Sequence, residues 1–318
     1  PARCSLIFGQ YAHKTDCYEN GFAMPETTAE RPTFMSLLSE AGYQAHGVGK
    51  MHFTPDGRAL RGFESRDYTG DGAVRKEDDD YVTWLQAQGF GHIHDQNGVK
   101  GEMYYIPQPA QMPAWAQASH WVADRSIEFL KNRDRSRPFF LWSSYQDPHP
   151  PFTPPVPWNQ LYRAPSMPLP KRPPDLENFW IHVNRVQNRY KYRDAGIDDN
   201  LMRTLKAYYY GIVSFIDYNV GRILAHLEQS GELEDTLIVW SSDHGEYLGD
   251  YNCFGKRTFL RSAAHVPLIA RYPGRFPQGA RIDAPASLVD IMPTFLAAAG
   301  IEPGSANLDG VDLATLAD

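Results

Sequence analysis

The feature that most restricts the fold is a short apolar run, Leu237-Ile238-Val239-Trp240. It is entered at Asp235-Thr236 and left straight into Ser241-Ser242-Asp243-His244-Gly245-Glu246-Tyr247-Leu248-Gly249-Asp250. Four apolar residues, two of them β-branched, predict a buried parallel strand. Ahead of the run, Asn200 to Gln229 is the longest helical pattern, with Leu201, Leu205, Tyr209, Ile212, Ile216, Val220, Ile223, Leu224 and Leu227 on one broad face. Gly231 ends that helix. A helix that feeds a buried strand is the unit of an α/β fold, and such sheets gather their ligands beyond the C-terminal ends of the strands. Asp243 and His244 fall at that point. A carboxylate and an imidazole side by side, followed by a glycine that lets the backbone turn, make a metal half-site or simply close a turn.

The same alternation runs through the chain. Thr33 to Ala41 has helical spacing at Phe34, Leu37, Leu38 and Ala41, and Gly42 stands at the C-terminal glycine position. Tyr43 to Val48 then reads as a strand that delivers Gly49-Lys50-Met51-His52-Phe53 to its far end. Ser119 to Lys131 reads as a helix with Ser119 as N-cap, followed by a strand over Pro138 to Ser143 and the rigid loop Tyr145-Gln146-Asp147-Pro148-His149-Pro150-Pro151-Phe152. Val266 to Ala270 is a further strand, and Leu288 to Ala299 a helix with Pro293 inside it. Residues 54 to 112 lack long periodic segments and read as a loop-rich insertion, with the run Asp78-Asp79-Asp80 as a solvated face. Pro154 to Pro174 is too proline-rich for regular structure. The expectation is a single α/β domain over residues 1 to 318 with a mostly parallel sheet flanked by helices. No internal repeat is visible.

Composition narrows the partners. A formal net charge of -7 argues against nucleic acid, whose phosphates demand a basic face. A small anionic substrate needs only a local basic pocket. No apolar run approaches the ~20 residues of a membrane span. Three cysteines, Cys4, Cys17 and Cys253, are too few for a disulfide framework, which leaves free thiols or one bridge open.

Arg3, Lys50, His52, His149, Asp243, His244 and Lys256 end predicted strands or open the loops that follow. Singly, each has an ordinary reading: solvated cations, hydrogen-bonded structural histidines, a turn lysine. Together they describe three fixed cations, two imidazoles and a metal pair. That set suits a tetrahedral oxyanion, whose peripheral oxygens are best met by positive groups from several directions. Sulfate or phosphate esters are the substrate class this suggests. Cys4 and Ser5 lie near Arg3, but no base is placed against either as a nucleophile.

These segments resemble the formylglycine-dependent sulfatases of the alkaline phosphatase superfamily over nearly the whole chain. Pro1-Ala2-Arg3-Cys4-Ser5-Leu6-Ile7-Phe8-Gly9 is similar, from its third position onward, to the signature C-x-P-S-R-x-x-L-x-x-G, with Ala2 where serine is usual. Gly42-Tyr43 with Gly49-Lys50-Met51-His52 resembles the G-Y…G-K-W-H segment. His149 in Asp147-Pro148-His149-Pro150, Asp243-His244 and Gly255-Lys256 match three further motifs, and Tyr208-Tyr209-Tyr210-Gly211, Asp217, Gly221-Arg222 and Val266-Pro267-Leu268-Ile269 resemble framework segments.

The resemblance implies an alkaline phosphatase-like α/β sandwich that hydrolyses sulfate esters by a metal-bound formylglycine. That residue would lie two positions before Pro1, so the chain is expected to be an N-terminally truncated fragment, inactive alone, that also lacks a C-terminal subdomain after Leu308 to Leu313. It implies Arg3, Lys50 and Lys256 on the oxyanion, His149 on the leaving group, His52 on the formylglycine, and Asp243 and His244 on a divalent metal, Ca²⁺ first, then Mn²⁺ or Mg²⁺. The substrate would be a small-molecule or carbohydrate sulfate ester; apart from the resemblance, Tyr104, Tyr105, Trp115 and Trp180 are available to stack on a ring or sugar, with ordinary packing as their other reading. Two other readings stay open: a phosphonate monoester or phosphodiester hydrolase on the same fold, and a non-catalytic oxyanion- or metal-binding fragment.

Overall fold

A computed structural model describes residues 1–20, 24–53, 56–70, 78–185 and 197–317. Among the described residues, the strands are β1 (Gln44–Gly49), β2 (Ser65–Tyr68), β3 (Phe139–Ser144), β4 (Ile238–Ser241) and β5 (Leu268–Arg271). The α-helices are α1 (Ala2–Phe8), α2 (Ala12–Thr15), α3 (Glu26–Ala29), α4 (Phe34–Glu40), α5 (Asp80–Leu85), α6 (Ala118–Asn132), α7 (Asp199–Gln229), α8 (Arg261–Ala264) and α9 (Ile291–Ala298).

The buried strand β1 is the centre of a three-stranded parallel sheet in the order β2-β1-β3. Its register aligns Gly49 with Tyr68 on one side and with Ser144 on the other, so β1, β2 and β3 end level. Side chains alternate across β1 with the period of 2 that a strand imposes. Ala45 faces Phe34, Met35, Leu38, Phe140, Met292 and Leu296, from α4, β3 and α9. Val48 faces Trp121 and Val122 of α6. Helices on both faces of a parallel sheet explain why β1 has no polar side exposed to water.

The helices follow from local chemistry. Thr33 caps α4 in a capping box with Ser36, and Phe34, Met35 and Leu38 bury its inner stripe, each contributing about 1.5–3 kcal/mol. Gly42, at φ 94°, turns the chain into β1. Asp198 caps α7 through the Leu201 amide at 2.8 Å, and Ile223 and Leu227 of α7 pack on Ala123 and Leu130 of α6. Pro293 sits in the first turn of α9, where no intrahelical N–H is needed. Within Pro154 to Pro174 the backbone forms only short 3₁₀ turns, and Trp158 packs edge-on against Phe215 of α7. No helix among the described residues is long and apolar enough to cross a membrane.

Four expectations change. The run at Leu237 was expected to be a buried parallel strand, yet β4 pairs antiparallel with β5 and Trp240 is 36% exposed. Apolar character encodes burial poorly when a strand has one described neighbour, because an antiparallel pair can leave a face to solvent. Ser119 is not the N-cap of α6: Gln117 holds that position, and the Ser119 hydroxyl instead donates to Asp147 Oδ2 at 2.6 Å. The stretch 54–112, of which 54–55 and 71–77 lie outside the described residues, supplies the edge strand β2 and helix α5 as well as loops. The acidic run within it is no solvated face. Asp79 is buried and caps α5 at the Val82 amide, while Asp80 accepts from the Tyr68 amide and pairs with Arg58. Helix α1, by contrast, has no counterpart in the sequence reading: seven residues carry too few turns for a period to show.

Candidate active site

The level ends of β1 and β3 form one wall of the site. Gly49, at φ 89°, lets them touch, since a Cβ there would fall 2.0 Å from the Ser144 carbonyl oxygen. The Lys50 amide donates to that same carbonyl at 3.2 Å, which fixes the exit of β1, and Lys50 is itself buried. The Ser144 hydroxyl donates to the Lys50 carbonyl.

Helix α1 brings Arg3 across this wall. Its Nη1 donates to the Lys50 carbonyl at 2.6 Å and to Ser144 Oγ at 3.0 Å, while its Nε donates to Asp243 Oδ2 at 2.8 Å. One guanidinium thereby joins the parallel sheet to the segment after β4, which the rigid fork of donors allows and an ammonium would not. Asp243 and His244 are held in turn by the backbone that follows: the Gly245 amide donates to the Ala263 carbonyl at 2.8 Å, and a Cβ at Gly245 would meet the Ser262 carbonyl oxygen at 2.1 Å. Glu246 then gathers the loop, accepting on Oε1 from the Leu248 and Gly255 amides, and so sets the position of Lys256.

The charges respond to this packing. Burial pushes the Asp243 carboxyl up, but Arg3, His244 and Lys50 together outweigh it and hold the group well below the usual carboxylate range. Burial lowers the His244 pKa, opposed by Asp243 and reinforced by Lys256 and Arg3, so the imidazole is neutral at pH 7. Its Nδ1 lies 2.8 Å from the Gly245 carbonyl, which only a protonated Nδ1 can satisfy. His244 Nε2 then carries the lone pair, and it lies 3.6 Å from Asp243 Oδ1. Two acceptors face each other there, a donor pair that fits a divalent cation. Among the described residues no cluster of three or more His, Cys, Asp or Glu side chains suits a metal, so these two make half a site. Lys256 is lowered by burial and by Lys50, against Asp243 and Glu246, which places both lysines in the field of the same carboxylate.

Arg3, Lys50, Asp243, His244 and Lys256 are therefore one group. His149 reaches it through aromatic rings: Tyr104 stands edge-on to the imidazole at 6.2 Å, Tyr105 is edge-on to Tyr104, and Tyr105 stacks at 4.1 Å on Phe254, two residues before Lys256. His149 Nδ1 is 2.9 Å from the Pro150 carbonyl. His52 enters by its place two residues beyond Lys50, where its backbone takes the left-handed φ of 60°. Of the aromatics considered for stacking on a substrate, Trp115 packs against Trp84 and Phe90, and Trp180 donates to the Tyr251 carbonyl. Ser144 and Glu246 were missed from sequence. Ser144 lies one residue past the predicted strand end, and Glu246 acts only on backbone amides, which leaves no motif.

The fold and this cluster define an α/β protein whose sheet edge suits a tetrahedral anion. Residues 1–301 match the sulfatase family model, and the chain belongs to that family. It is 31% identical over 316 residues to an arylsulfatase of Clostridium perfringens (strain 13 / Type A), covering 93% of this chain and 63% of that protein. It is 29% identical to the multifunctional alkaline phosphatase superfamily protein PehA of Trinickia caryophylli, covering 93% of this chain and 62% of that protein. Among solved structures it is similar to the phosphonate monoester hydrolase SpPMH from Silicibacter pomeroyi, with TM-score 0.79 and 28% identity over 100% of this chain and 66% of that one. The fold is thus the alkaline phosphatase-like α/β sandwich expected from the resemblance. The chain spans about three fifths of the length of the curated relatives it matches. Sulfatases of this family generally use a divalent metal.

Proposed function

We propose that the protein hydrolyses sulfate esters. The observation that carries this reading is the convergence of Arg3, Lys50 and Lys256 on Asp243 and His244 at one sheet edge. Three cations around one point favour a group that spreads negative charge over several oxygens as the S–O bond breaks. In this reading Lys50 and Lys256 stabilise that charge, and Arg3 adds to it while holding the two walls together. His149 delivers a proton to the departing alcohol oxygen; its Nδ1 is engaged with the Pro150 carbonyl, so Nε2 is the atom that serves. His52 orients the attacking group.

Asp243 Oδ1 and His244 Nε2 would hold the metal, which supplies Lewis-acid polarisation of the bound ester. We take the ion to be Ca²⁺, for the hard carboxylate oxygen, with Mn²⁺ or Mg²⁺ as the competing ions. Metal analysis of the purified full-length protein decides among them. The leaving group is a small-molecule or carbohydrate alcohol, and Tyr104 beside His149 provides a flat wall for it.

A second reading, hydrolysis of phosphonate monoesters or phosphodiesters, is favoured by the likeness to SpPMH. Turnover of an aryl sulfate against an aryl phosphonate monoester by the full-length protein separates them: kcat/KM higher on the sulfate supports the first reading, and the reverse order replaces it. Lys50→Ala and Lys256→Ala should each lower sulfate turnover ~100-fold or more. A near-normal rate removes that lysine from the mechanism.

A further inference from the structure

We propose that Ser65, His46 and Asp67 form a second reactive site, separate from the anion site, in which Ser65 takes an acyl group from small activated carboxylic esters. Parallel pairing sets His46 of β1 opposite Ser65 of β2. Ser65 and Asp67 are two apart on β2 and so share a face of the sheet. His46 Nδ1 lies 2.8 Å from Ser65 Oγ, and His46 Nε2 lies 3.2 Å from Asp67 Oδ2. Phe129 of α6 stacks on the imidazole at 4.6 Å with the rings 12° apart, and His46 is only 6% exposed, so the ring is held in one orientation. Ser65 is exposed, on the edge strand of the sheet. His46 stands three residues short of Gly49, where β1 ends, which puts the trio roughly 10 Å back along the strand from the wall of the anion site.

The hydrogen bonds fix which way the proton moves. An ionised Asp67 carboxylate only accepts, so a neutral His46 carries its hydrogen on Nε2 and keeps the lone pair on Nδ1. Ser65 therefore donates to Nδ1, and His46 is placed as its base while Asp67 holds the tautomer. Ser65 Oγ attacks the ester carbonyl carbon, its proton passes to Nδ1, and the bond from that carbon to the alcohol oxygen breaks. The proton on Nδ1 then goes to the departing oxygen, which leaves an acyl-serine and a free alcohol. An exposed serine on an edge strand gives a donor little to hold it, so the donor is small and carries a good leaving group, as an aryl acetate does.

Diisopropyl fluorophosphate traps such a serine, because the Oγ–P bond forms as the P–F bond breaks, fluoride leaves, the Oγ proton passes through His46 to water, and the adduct persists. Trypsin cuts after Arg61 and Arg66, and Ser65 is the only hydroxyl residue in the peptide Gly62-Phe63-Glu64-Ser65-Arg66. The folded full-length protein is treated at about pH 8, above the ordinary imidazole range, then digested and read by mass spectrometry. The expected result is that peptide carrying one diisopropylphosphoryl group, while heat-unfolded protein, in which the trio is apart, leaves it unmodified. Asp67→Asn, whose amide donates to Nε2 and so moves the imidazole hydrogen to Nδ1, should be labelled at least ~100-fold more slowly. An unmodified peptide from the folded protein overturns the proposal, as does labelling at the same rate in unfolded protein or in folded Asp67→Asn. The comparison of folded with unfolded wild type decides the matter even where the variant does not fold.

Discussion

Two regions meet at the site and are built differently. The sheet β2-β1-β3 is parallel and covered by helices on both faces, and its strand ends are level to a single register. The ribbon β4-β5 is antiparallel and leaves Trp240 and Ile269 exposed. The first region places Lys50 and Ser144 through its own hydrogen-bond ladder. The second places Asp243 and His244 only because Arg3, Gly245 and Glu246 hold the segment beyond the strand. Precision comes from buried backbone on one side and from a charged bridge on the other, so the two sides should fail in different ways.

The largest effect is expected from breaking the bridge. Arg3→Ala strands the Asp243 carboxylate in a site where the pair is 15% and 24% exposed, and should cost about 3–5 kcal/mol of stability and ~100-fold or more in turnover. Arg3→Lys, which keeps the charge but not the fork, should fall between. Chemical denaturation of the three proteins checks this, and unchanged stability in Arg3→Ala would mean that the two regions do not depend on the bridge.

The two glycines sharpen the contrast. Gly49→Ala forces a positive φ and a clash with the Ser144 carbonyl inside the buried sheet, and should destabilise the fold by about 2–4 kcal/mol. Gly245→Ala meets the Ser262 carbonyl in the half-exposed region and should cost about 1–3 kcal/mol, with the greater proportional loss in turnover. Melting curves and kcat/KM measured together test whether the order holds.

The smallest effect concerns Asp147, three residues beyond β3, whose carboxyl is pushed up by burial against its hydrogen bond from Ser119. A raised folded pKa means that its contribution is fully present below the unfolded value near 3.8 and is lost as pH rises through the folded value. Asp147→Asn should therefore raise Tm slightly at pH 7, with the gain closing as pH falls toward 4. A gain that persists at pH 4 would rule out this carboxyl as the cause.

Much of the site was legible because strands and motifs are written locally. The strands expected before Lys50, His149 and Asp243 placed those residues near sheet ends, and cations among them pointed to an anion as the expected ligand. Ser144 and Glu246 were not legible, since a hydroxyl on one carbonyl and a carboxylate on two amides leave no pattern in composition or period. The acidic run misled for the related reason that Asp79 is a buried helix cap, which the same three letters on a surface would not be.

What the sequence determined by itself is the α/β alternation, the inward faces of α4 and α7, and the set of charged side chains that a family resemblance could gather. Those depend on periodicity and on residue type, which are properties of neighbours along the chain. Only the tertiary structure decided that β4 runs antiparallel to β5 and that Arg3 directs its donors to Asp243, Lys50 and Ser144. Strand partners and guanidinium contacts are choices between groups far apart in sequence, and they are settled by which burial leaves the fewest polar groups unmatched.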